Sequence, residues 1–168
     1  MKQETYNPSS IEFRNFDINK NNHIFTKAES SRLRESTIMY IAGNGDEERP
    51  DFIQHPIYMI SENIQGIIDA YEDELIFKDV VLIHKESNKQ FMYYSIIMDE
   101  LDVKSDKTEY YPDGTEKRLI LDKEKIGYHN LFLIKDSKMK NPIVSLNVVE
   151  SILRRDSKGV IFEEVEVL

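Results

Sequence analysis

His129, which follows Gly127-Tyr128 and stands just before a predicted strand, is the residue best suited to general-base chemistry in a chain of 168 residues with four histidines and no cysteine. Paired with a carboxylate from Asp99 or Asp102, it would describe a small hydrolase. The missing thiols remove disulfides, thiolate metal sites and a cysteine nucleophile. Gly-x-Ser-x-Gly is absent, and His23, His55 and His84 have no metal-ligand spacing such as His-Glu-x-x-His. Asp17-Ile18-Asn19-Lys20-Asn21-Asn22-His23-Ile24 resembles the opening of an EF-hand calcium loop. The twelfth position of that loop, which needs a bidentate Glu, is Ala28, with Glu29 one place late, so an Asn-rich polar turn is expected instead. No metal and no cofactor are expected.

A second constellation suits binding better than catalysis. Asp99, Glu100, Asp102, Asp106 and Glu109 form the densest acidic group broken by apolar residues, and Tyr93, Tyr94, Tyr110 and Tyr111 flank it. Two carboxylates can flank a glycosidic bond, but nothing in the sequence sets a separation here. Acids beside tyrosines, which are enriched at binding hot spots, suit a basic protein surface, and these residues form the candidate partner-binding set.

Composition agrees. A net charge of −9, with 22 basic residues against 31 acidic ones, disfavours nucleic acid, because phosphate neutralisation needs clustered Lys and Arg. No window is apolar for long enough to cross a bilayer, and Met1-Lys2-Gln3-Glu4-Thr5-Tyr6 lacks the apolar stretch of a signal peptide, so a soluble cytoplasmic protein is expected. At 40% hydrophobic content the length fits one domain with a full core.

The elements that must position these residues include an internal repeat. Met59-Ile60-Ser61-Glu62-Asn63-Ile64 returns as Ile143-Val144-Ser145-Leu146-Asn147-Val148, and the Leu75 to Ile83 strand returns as Val160 to Leu168. In each copy a short strand leads to a serine, read as a helix N-cap, and then to an amphipathic helix. Ile64, Ile67, Ile68 and Tyr71 share one face in the first copy; Val148, Val149, Ile152 and Leu153 do so in the second, with Gly159 as a stop. Val80-Val81-Leu82-Ile83 is apolar on both faces and predicts a central strand, whereas Glu164-Val165-Glu166-Val167 alternates and predicts a half-exposed one.

Thr26 and Glu29 fit a capping box opening a helix through Glu35, with Thr37 to Ile41 as its last turns or a short strand, and Ala42 to Pro50 reads as an exposed loop. Gln90 to Met98, Arg118 to Asp122 and Asn130 to Lys135 read as strands, with turns at Tyr111-Pro112-Asp113-Gly114 and from Asp122 to Ile126. The expected fold is α+β, a mostly antiparallel or mixed sheet with a few packed helices. Residues 1–50 are expected as an irregular, partly helical extension packed on a domain of residues 51–168.

The segments Ile57 to Ser61, Leu101-Asp102-Val103-Lys104-Ser105, Leu119 to His129, Asn130-Leu131-Phe132-Leu133-Ile134-Lys135, Ile143-Val144-Ser145 and Gly159-Val160-Ile161-Phe162-Glu163 resemble bacterial immunity proteins of polymorphic toxin systems. Within these the chain is similar to immunity family eleven, earlier described as a domain of unknown function. The likeness covers roughly residues 50–168 and departs from the family pattern at Leu133, where a basic residue is expected, and at Asp136, where a glycine is. The resemblance implies a non-enzymatic cytoplasmic protein that binds and neutralises a cognate protein toxin, and the acidity of the chain would complement a basic toxin surface.

Overall fold

Apolar residues that alternate along a strand bury both faces of a sheet only if something covers each side, and that requirement organises this molecule. The computed structural model describes residues 1–3, 27–41 and 49–168. The calcium-loop-like run Asp17 to Ile24, Thr26 of the capping box and residues 42–48 of the expected loop lie outside them.

The chain is a single α+β domain. Strand β1 (Lys2–Gln3) is followed by a 3-10 turn (Lys27–Arg32), β2 (Ser36–Ile41), β3 (Phe52–Ile53), β4 (Met59–Ser61), α1 (Glu62–Tyr71), β5 (Ile76–His84) and β6 (Gln90–Ile97). The second half adds β7 (Glu100–Leu101), β8 (Glu109–Tyr110), β9 (Glu116–Arg118), β10 (Ile120–Leu121), α2 (Lys123–Ile126), β11 (Leu131–Ile134), β12 (Ile143–Val144), α3 (Leu146–Leu153), β13 (Val160–Ile161) and β14 (Glu166–Val167). A five-stranded sheet runs β2-β5-β6-β4-β3 and a three-stranded one β12-β11-β7, with the pairs β1-β13, β10-β14 and β8-β9 beside them. The sheets are mixed: β2 lies parallel to β5, β7 to β11 and β14 to β10.

Helices α1 and α3 and one side of each of the two larger sheets share the central core. Ile64, Ile67 and Ile68 of α1 and Val148 and Ile152 of α3 meet Phe52, Ile60 and Ile96 of the larger sheet and Leu131 and Leu133 of the smaller. The alternate residues point away. Ile53, Met59, Val80, Leu82 and Tyr93 join Leu33, Met39 and Ile41 in a second cluster, and Phe132 and Ile134 join Val103 and Leu121 in a third. Each fully buried aliphatic side chain contributes about 1.5–3 kcal/mol, so the alternation sets the register of every paired strand.

The structure decides or refines several local expectations. Of the two readings of Thr37 to Ile41 the strand is the one observed, because β2 finds a partner in β5, and the preceding helical segment is a 3-10 turn ending at Arg32 rather than a helix through Glu35. Within residues 1–50, the described stretches supply β1 and β2 as strands of this fold, and the Met1 amine donates to Pro142 O at 2.7 Å. The closing strand of the second copy divides into β13 and β14, which join different sheets. Strand β5 is interior, as its apolar run predicts, but Val80 and Leu82 are its buried pair, while Val81 and Ile83 are half-buried.

Candidate functional site

The acidic and tyrosine residues fall into a braced interior group and an exposed group. Tyr93 is a core residue: it is 3% exposed and its hydroxyl donates to Pro50 O at 2.8 Å. Burial pushes its pKa well up, against a smaller downward pull from Arg49. Tyr94 is half-buried against the helical core. Asp99 accepts from Lys27 Nζ at 2.7 Å, and this bond raises the lysine's pKa; Glu100 sits 3.4 Å from Lys140 Nζ.

Asp102, Asp106, Glu109, Tyr110 and Tyr111 are exposed. Tyr110 and Tyr111 are 48% and 52% accessible at the tip end of the β8-β9 hairpin. The turn that the sequence predicts closes it: Tyr111 N donates to Thr115 O and Gly114 N to Tyr111 O, both at 2.8 Å, and Gly114 adopts a φ of 80° that favours glycine. Asp113 Oδ1 accepts from Thr115 N at 2.9 Å, which holds the Asp113 carboxyl below the usual carboxylate range.

The hairpin is tied down through β9. Glu116 is buried, with Lys104 Nζ 3.5 Å from its carboxylate. Burial alone would raise its pKa, but hydrogen bonds from its own amide and the Ser137 hydroxyl, with the Lys104 charge, outweigh that and hold the group ionised to lower pH. Lys104 Nζ also donates to Asp136 O at 3.3 Å and lies 5.8 Å from the Tyr110 ring centroid. On the same strand, β9, Arg118 pairs with Glu166 of β14 at 2.7 Å and with Glu109 at 3.7 Å. A pair of aromatic side chains thus stands on a hairpin whose backbone is already ordered.

His129 is placed elsewhere. Its neighbouring carboxylate is Glu72, with Nδ1 3.7 Å from Oε1, and neither Asp99 nor Asp102 lies within ion-pairing reach. Glu72 Oε2 accepts from Asn130 N at 2.7 Å, and Asn130 Oδ1 accepts from the Ser145 hydroxyl at 2.8 Å. Ser145 is therefore committed to an amide rather than to the His129 imidazole. Among the described residues no group of three or more His, Asp or Glu could hold a metal ion. Ser61 is likewise turned away from its helix, donating to Asp51 Oδ1, and neither repeated serine makes a side-chain cap bond. These hydroxyls bind instead the side chains of Asp51 and Asn130, which stand just ahead of β3 and β11.

Sequence reasoning missed one feature altogether: a cleft of about 700 Å³ between β11, β12, α3 and the C-terminal segment. Its floor and walls are mainly apolar, including Phe132, Ile134, Ile143, Val149 and Val165, with His129 and Ser145 among its polar atoms. No short-range signal could reveal it, since it is a gap between segments far apart in the chain. No protein-family model matches the chain, nor does any curated protein or solved structure.

Proposed function

We propose that this protein is a non-enzymatic immunity protein that binds and neutralises a cognate protein toxin, through the β8-β9 hairpin and the acids beside it. One observation carries the reading: Tyr110 and Tyr111, each about half exposed, project from a hairpin braced by Glu116–Lys104 and Arg118–Glu166, next to Asp102 and Asp106, which have no cationic partner among the described residues. Tyrosine supplies large contact area at little conformational cost, and a pre-ordered hairpin loses little entropy on docking. The unpaired acids and the net charge of −9 would attract a basic surface and speed association.

The test is to titrate the purified protein into the toxin encoded by the neighbouring gene. A stoichiometric complex and rescued growth on co-expression are expected. The Tyr110→Ala, Tyr111→Ala double variant is expected to bind about 100-fold more weakly with an unchanged melting temperature. Full toxicity in the presence of the wild-type protein overturns the proposal.

A further inference from the structure

We propose that the cleft beside α3 seats an apolar segment of the same partner, one whose apolar residues are flanked by Lys or Arg. This inference rests on the toxin-binding reading and adds a second, adjoining contact to it.

The duplication shows what such a face accepts. In the first copy Ile53 lies opposite Met59 across the β3-β4 pair, and in the second Phe132 lies opposite Ile143 across β11-β12, so the two pairs occupy equivalent places. Ile53 and Met59 are 2% and 0% exposed, covered by Leu33, Val80, Leu82 and Tyr93, which is to say by polypeptide. Phe132 is likewise 2% exposed, under Val103, Leu121 and Ile134, but Ile143, the counterpart of the fully buried Met59, is half-buried and lines the cleft of about 700 Å³. The place that one copy covers completely with apolar side chains from its own chain is covered only in part in the other, at Ile143. Its lip is apolar too: Leu146 is 70% and Met139 39% exposed.

Charge selects the flanks of the occupant. Glu163 and Glu164 line the rim; Lys2 is taken by Glu163 at 2.5 Å, and Glu164 has no cation among the described residues. The cleft is also continuous with the hairpin. Lys138, next to Met139 of the lip, donates to Asp113 O in the hairpin turn, and Arg118 pairs with Glu166, which lies between the cleft residues Val165 and Val167. A toxin held by Tyr110 and Tyr111 would reach the cleft without a gap.

The experiment compares toxin binding by the full-length wild type, Leu146→Lys, Leu146→Met and Glu164→Lys. Leu146 and Glu164 are exposed, so all four proteins should melt alike. The expected result is about tenfold weaker binding for Leu146→Lys, near wild-type binding for Leu146→Met, and a smaller loss for Glu164→Lys with a shallower salt dependence. If Leu146→Lys and Glu164→Lys bind as the wild type does while the Tyr110, Tyr111 double variant fails, the cleft proposal is overturned and the immunity reading stands. If the wild type itself does not bind the toxin, both fall.

Discussion

In the first copy the β3-β4 pair leads through Ser61 into α1; in the second β11-β12 leads through Ser145 into α3. Ahead of each pair stands a residue that receives the serine and then reaches across to the end of the other copy's helix. Asp51 accepts the Ser61 hydroxyl, donates its amide to Lys158 O at 2.8 Å and accepts Lys158 N at 2.7 Å, just beyond α3. Asn130 accepts the Ser145 hydroxyl, donates its amide to Glu72 and its side chain to Tyr71 O at 2.8 Å, at the end of α1. Tyr71 and Ser151 close the helix contact with a 2.8 Å hydrogen bond between hydroxyls. The frame is therefore cross-braced with near two-fold symmetry. What differs is the covering: the outer face of the first pair is packed by β2, β5 and β6, that of the second by short strands and a tail that leave a cleft. Stability resides in what the copies share, and the proposed recognition surface lies where they diverge.

The strongest way to break this cross-bracing is at Gly159. It holds a φ of 67°, and a Cβ there would come within 2.3 Å of Pro50 Cβ and 2.9 Å of Pro50 Cα. The glycine allows the segment after α3 to pass against the strand that carries Asp51. Gly159→Ala is expected to cost about 3 kcal/mol, from the left-handed backbone and the clash together, read as a fall in the urea midpoint. A loss below about 1 kcal/mol would mean that Pro50 moves aside and that the close approach is not needed.

The difference in covering gives a paired measurement. Met59→Ala empties a fully buried site and should cost about 3 kcal/mol, whereas Ile143→Ala, at the equivalent place on the open cleft, should cost about 1 kcal/mol, because its methyl groups already face solvent on one side. Equal costs for the two substitutions would show that the second face is as well packed as the first.

How much of this could be read beforehand depended on the range of the interaction. Helices α1 and α3 were legible because Ile64, Ile67 and Ile68, and then Val148 and Ile152, declare a helical period within a few residues. The interior place of β5 was legible from its apolar run, and the turn at Gly114 from its residue types. The division of the last segment into β13 and β14 was not, since alternation in Glu164-Val165-Glu166-Val167 identifies a strand without naming its partner; β10 and β1 decide that from far away. The candidate site divides for the same reason. Tyr93 and Tyr110 are the same residue type on predicted strands, and distant segments bury the first, with Leu33, Met39 and Ile53 around it and its hydroxyl on Pro50 O, while the second is left in solvent. The His129–Glu72 contact spans 57 residues and carries no local signal.

The repeated serines sharpen the comparison most finely. Local rules make both of them helix caps, and loss of a cap would cost the two helices the same amount, about 1 kcal/mol. Their hydroxyls in fact reach unlike acceptors, a carboxylate at Asp51 and a neutral amide at Asn130. A bond to a charged acceptor is roughly twice as strong, and removing Ser61 leaves the Asp51 carboxylate, 9% exposed, short of a donor. Ser61→Ala is therefore expected to cost about 2 kcal/mol and Ser145→Ala about 1 kcal/mol or less, by denaturant unfolding. Combining Ser61→Ala with Asp51→Asn should recover part of the loss, because the amide makes a smaller demand on its neighbours. Equal single costs, with no recovery in the double variant, would return both serines to the role of simple caps.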